Sequence, residues 1–123
     1  MATVALHNGN FDETVTSNET VLVDFWASWC GPCRMFAPIF EAASEAHPDV
    51  VFGKVDTEAQ QELAARFGIM SIPTLMAFRD NVLLYAQPGA LPGAALEELI
   101  TKVQELDMDE VRRQIDARAH AAS

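Results

Sequence analysis

Cysteine is scarce in this chain, and so is positive charge. Its two cysteines stand two residues apart, so a disulfide between them closes only a short loop and adds little as a structural staple. In a reducing compartment such a pair is more plausibly reactive than architectural, an inert structural pair being the plainer alternative. The three histidines occur singly at positions 7, 47 and 120, which leaves the two thiols without the further ligands of a structural zinc, and no metal is expected. Lysine and arginine number 8 against 18 aspartates and glutamates, for a net charge of −10. That charge repels a nucleic-acid backbone, and its simplest consequence is a solvated surface. Long apolar runs are missing as well: the one that begins at Val21 meets Asp24, and nothing reaches the length of a membrane span. The start, Met1-Ala-Thr-Val-Ala-Leu-His7, carries neither the basic patch nor the long apolar region of a secretory signal. With Met1 as the native start, a cytoplasmic location is expected.

What is present suits one α/β domain. The 123 residues are half hydrophobic and mix strand-like with helix-like patterns. Thr3 to His7 reads as a strand, and Asn10 is placed to cap a brief helix with Phe11 and Val15. Val21 to Ala27 is almost continuously apolar and β-favouring, as in a strand covered on both faces, roughly 21–28. From Cys33 the period changes: Phe36, Ile39, Phe40 and Ala43 form a helical stripe that runs to about Ala46, with Pro38 expected to kink it. Val50 to Val55 is a further strand, and Asp56-Thr57 suits the cap of a short helix whose face is Leu63, Ala64 and Phe67 and whose stop is Gly68. Leu75 to Phe78 and Val82 to Ala86 read as a hairpin about Arg79-Asp80-Asn81. Pro92 then opens a helix carrying Leu96, Leu99, Ile100 and Val103. After Leu106 the pattern restarts with a capping pair, Asp107 and Glu110, and a weak stripe of Met108, Val111 and Ile115. The expected organisation is a domain over 1–106 and a partly helical extension over 107–123.

The chemistry is expected where the strand of 21–28 gives way to the helix. Cys30 lies before the helix, exposed, where free backbone N–H groups and the helix dipole favour a thiolate, and Cys33 lies in the first turn behind it. Two sulfurs so placed can attack a disulfide and resolve the mixed disulfide that results. Gly31 permits the tight turn and Pro32 stiffens it. Asp24 interrupts a buried strand, which is costly for a carboxylate unless it is neutral or partnered.

At this point the chain resembles thioredoxin. The resemblance is carried by Val23-Asp-Phe-Trp-Ala-Ser-Trp-Cys-Gly-Pro-Cys33, Pro38, Lys54-Val-Asp56, Phe67-Gly-Ile-Met-Ser-Ile-Pro-Thr74 and Gly89-Ala90, and covers about residues 3–106. It implies a thioredoxin fold, a central mixed five-stranded sheet flanked by four helices, with the C-terminal helical extension added. It implies a protein-disulfide reductase cycling Cys30 and Cys33, with Asp24 relaying a proton at Cys33 and Lys54 nearby. Pro73 would be cis and face the dithiol, and the backbone of Ile72 would pair with substrate. Trp29, Gly31, Pro32, Ile72 and Gly89 would form the contact surface, with Trp26 packed beside it. No cofactor is bound on this account: thioredoxin reductase restores the dithiol with electrons from NADPH, the other partners are proteins carrying disulfides, and the chain is a monomer. An oxidant, isomerase or dedicated redox donor of the same fold, or a non-catalytic holdase, are the alternatives. Asn81 replaces a turn glycine common in the family, and Pro88 precedes Gly89 where many members keep a backbone N–H.

Overall fold

The computed structural model describes residues 2–122. Its elements follow as β1 (Thr3–Ala5), α1 (Phe11–Ser17), β2 (Thr20–Trp26), α2 (Gly31–Ala46), β3 (Val51–Asp56), α3 (Gln61–Arg66), β4 (Thr74–Arg79), β5 (Val82–Pro88), α4 (Gly93–Glu105) and α5 (Met108–Ala122). The sheet order is β1-β3-β2-β4-β5; β3 runs parallel to β1 and β2, and β4 is antiparallel to β2 and β5. β2 therefore lies at the centre, hydrogen-bonded on both edges, as its run of apolar, β-branched residues requires.

Because successive side chains of a strand point to opposite faces, β2 divides its residues between two cores. Leu22 joins Phe36 and Phe40 of α2, Phe52 of β3, and Leu96 and Ile100 of α4. Val21, Val23 and Phe25 join Phe11 and Val15 of α1, Leu63 of α3, and Met76 and Phe78 of β4. Asp24 shares the parity of Leu22 and so faces the α2 side of the sheet. Gly53 is required where it stands: a Cβ there would run into the buried Leu6 side chain, which crosses β3 on the other face.

Local chemistry departs from expectation at three caps. Asn10 does precede α1, yet its side chain turns back, accepting from the His7 N–H at 2.8 Å and donating to the Ala5 carbonyl at 3.1 Å, and caps nothing in the helix. Asp56 accepts from the Glu58 and Ala59 N–H groups at 3.0 and 3.4 Å, closing a turn ahead of α3 rather than the helix itself. Pro92 is the residue before α4, not within its first turn. The helix stop at Gly68, the hairpin turn and the cap of the last helix stand where the sequence puts them. α2 continues through Pro38, Gly68 ends the α3 region at φ 62°, and Asp80 and Asn81 take the paired positive φ of a two-residue hairpin turn. Asp107 caps α5 through bonds from the Asp109 and Glu110 N–H groups at 3.0 and 3.2 Å.

The C-terminal end of α4 is clasped by one cation. Arg79, at the end of β4, donates through Nη1 to the carbonyls of Val103, Gln104 and Leu106 at 2.8, 2.8 and 2.9 Å, meeting the unpaired carbonyls and negative dipole end of α4. α5 then returns beside the start of β5. Arg112 reaches Asp80 at 3.6 Å, Met108 is buried, and Val111 and Ile115 face Val82 and Leu84 across a cavity of about 310 Å³.

Candidate active site

The junction between β2 and α2 is built from its own backbone. Cys30 has extended geometry (φ −84°, ψ 114°) and stands as the residue that caps α2. Its sulfur accepts from the Cys33 N–H at 3.2 Å, and its carbonyl accepts from the Arg34 N–H at 3.1 Å. Arg34 also donates to the Ser28 carbonyl at 2.8 Å, tying the first turn of the helix to the loop before it. The two cysteines form a disulfide with their Cα atoms 5.2 Å apart. In this oxidised form the expectation of an exposed Cys30 needs correcting, since Cys30 is 4% and Cys33 3% exposed. The cysteines differ in what they face: Cys30 lines a surface groove of about 500 Å³ and Cys33 does not. The reason is the helix turn itself, which stacks Cys33 inward over the sheet and leaves Cys30 at the rim.

The opposite wall of the groove is the segment before β4. The Ile72–Pro73 peptide bond is cis, and the Ile72 carbonyl oxygen lies 3.6 Å from the Cys30 sulfur. Thr74 donates its hydroxyl to the Ser71 carbonyl at 2.5 Å, and the Gly89 N–H donates to the Pro73 carbonyl at 2.8 Å. Gly89 holds φ 105°, a left-handed geometry that an L side chain would strain. Trp29, Gly31, Pro32 and Ile72 line the groove with Cys30. Gly89 is not among its lining residues, and its direct contact is with Pro73.

One groove residue, Met70, and one partner of a groove residue, Glu58, were not singled out from the sequence. Met70 is 95% exposed at the groove's edge, and the only hint of it was an apolar residue in the loop before Ile72-Pro73. Glu58 accepts a 2.5 Å hydrogen bond from the indole N–H of Trp29, which holds a ring that is otherwise 66% exposed. From the sequence Glu58 is one more acid in a solvated turn.

Asp24 is fully buried, and neither carboxylate oxygen has a hydrogen-bond partner. Burial pushes its carboxyl up to about 7, against the opposite pull of the Lys54 ammonium. Lys54 is the register partner of Asp24 on β3 and shares its face of the sheet. Its Nζ sits 5.1 Å from the Trp26 ring centroid and 4.0 Å from Glu41 Oε1. The structure thus brings Asp24, Lys54 and Trp26 together on the α2 side. Among the described residues no group of three or more His, Cys, Asp or Glu is arranged to hold a metal ion.

A redox-active cysteine pair capping a helix, set against a cis-proline loop at the end of a mixed sheet, defines a thiol–disulfide oxidoreductase of the thioredoxin fold. The comparisons agree. The thioredoxin family model matches residues 2–102. A Streptomyces coelicolor protein bearing the name thioredoxin 2 is 63% identical over 114 residues, covering 93% of this chain and 85% of that protein. A thioredoxin of Alicyclobacillus acidocaldarius is 43% identical, over 83% of this chain and 98% of the relative. Among solved structures, a mutant thioredoxin from Halobacterium salinarum superposes with a TM-score of 0.77 at 33% identity, covering 85% of this chain and 92% of that one. The chain belongs to the thioredoxin family. It is a protein-disulfide reductase working through Cys30 and Cys33.

Proposed function

We propose that Cys30 is the attacking thiol, Cys33 the resolving thiol and Asp24 the proton acceptor for Cys33. The Cys30 thiolate attacks one sulfur of a substrate disulfide, and the other sulfur leaves as a thiolate that takes a proton from solvent. Cys33 then gives its proton to Asp24 and attacks the Cys30 sulfur, which breaks the mixed disulfide, releases the second substrate thiolate and forms Cys30–Cys33. Two electrons pass to the substrate. Lys54 acts on Asp24 as its nearest cation. Extended substrate lies along the groove, with Trp29, Gly31 and Pro32 on one wall and the Ile72 backbone pairing from the other; Pro73, held by Gly89, shapes that wall. The observation that carries this assignment is the asymmetry of the two sulfurs about the groove, Cys30 lining it and Cys33 lying behind.

The cycle closes when thioredoxin reductase returns electrons from NADPH, the chain itself binding no cofactor. Its other partners are disulfide-bearing proteins, and it works as a monomer in the cytoplasm. No described helix is long and apolar enough to cross a membrane. Residues 1–106 are the active unit, and 107–123 are an addition to it.

The roles of the thiols are tested by substitution. Cys30→Ser should abolish insulin reduction, whereas Cys33→Ser should still attack and then stall as a mixed disulfide visible by mass spectrometry. Mixed disulfides that accumulate on Cys33 in the Cys30→Ser variant, with none on Cys30 in the Cys33→Ser variant, would reverse the assignment.

A further inference from the structure

Glu41 is a carboxylate that the thiol chemistry does not use, yet it is built in. It projects from α2, with its side chain 24% exposed. One oxygen accepts the Thr3 hydroxyl at 2.8 Å and lies 4.0 Å from Lys54 Nζ. The other oxygen is buried with no hydrogen-bond partner. A carboxylate held with an unpaired buried oxygen is costly unless a cation answers it, and the cation within reach is Lys54. That ammonium lies 4.0 Å from Glu41 and belongs to the residue paired in register with Asp24 on the neighbouring strand.

We infer that Glu41 is a positioning residue for Asp24. Thr3 fixes the Glu41 carboxylate, the carboxylate holds the Lys54 ammonium toward α2, and the ammonium is thereby kept from pairing with Asp24. Asp24 remains a group that takes up and releases a proton, rather than the permanently ionised half of a salt bridge. The charged neighbours are few. Lys54 comes from β3 and Glu41 from α2, while β4 presents Leu75 opposite Asp24 and α4 contributes Leu96 and Ile100 to this side of the sheet. Asp56, farther along β3, is engaged by the Glu58 and Ala59 N–H groups. The inference rests on the proposed role of Asp24 only where it touches catalysis; the control of its proton affinity stands apart from that role.

The test is Glu41→Gln, which keeps the shape and removes the charge. Loss of a nearby negative charge and release of Lys54 act in the same direction, each favouring ionised Asp24. The Asp24 carboxyl titration, followed by carbon NMR of the oxidised protein, should move to lower pH by a factor of about ten in its dissociation constant. Thr3→Val should move it the same way by less, and it supplies the answer if Glu41→Gln folds poorly. With Lys54→Met as background, Glu41→Gln should move the titration by much less. A titration left in place, or moved to higher pH, in both folded variants would overturn the inference. Resolution of a mixed disulfide should shift its acid limb along with the titration. If the titration moves and the limb does not, Glu41 keeps its position and Asp24 loses its place in resolution.

Discussion

Asp24 is where burial and chemistry meet in one side chain. Its carboxyl ionises near pH 7 in the fold and near 3.9 in an unfolded chain. Across that interval the folded state binds more protons, so stability is fullest below the unfolded value and falls as pH rises through the folded one. Asp24→Asn should therefore match the parent protein near pH 3 and exceed it at pH 8, by up to about 4 kcal/mol, in denaturant titrations at several pH values. Turnover should fall while stability rises, because in the proposed mechanism the group at position 24 must accept a proton from Cys33 and asparagine does not. A variant no more stable at pH 8 than the parent would show that the carboxyl ionises there without loss. The burial of Asp24 was legible in the sequence, since an acid flanked by Val23 and Phe25 in a strand covered on both faces has little chance of reaching water. Glu41 was not legible in the same way. It lies beyond Phe40 on an amphipathic helix, where an acid ordinarily faces solvent, and only the approach of Thr3 and Lys54 from two strands turns it inward.

At the scale of elements, order and type were readable because each apolar run has a period and a punctuating residue: Gly68 after α3, Asn81 between β4 and β5, Asp107 before α5. What local pattern does not carry is the contact between distant elements. Arg79 looks like a turn residue, yet it clasps three carbonyls at the end of α4. The side chain of Asn10 is claimed by the loop instead of the helix, because a backbone N–H and a carbonyl happen to lie nearer. α5 is weakly patterned and contributes no residue to either core; Met108 is its buried apolar side chain. Deleting residues 107–123 should leave insulin reduction within about twofold of the full chain, because no groove residue lies after Ile72. Stability should fall by about 2 kcal/mol, the burial of one methionine side chain, as read by denaturant melts. A folded deletion protein unable to reduce insulin would mean the active unit extends past Leu106.

For the whole molecule the net charge of −10 sets how partners arrive. Reduction of a basic disulfide protein should slow several-fold as ionic strength rises from about 10 to 150 mM, where the screening length shrinks to about 8 Å. An uncharged small disulfide should show almost no such change in stopped-flow rates, and equal salt dependence for both would remove steering from the account. A second property belongs to the outline of the sheet. Open sheet edges are where free strand-forming segments of other chains add themselves. One edge here is β1, only three residues long. The other is β5, which starts beside α5 and finishes at Pro88, a residue with no N–H to offer. The margins of the sheet give an incoming chain little purchase for the strand addition that ends in aggregation.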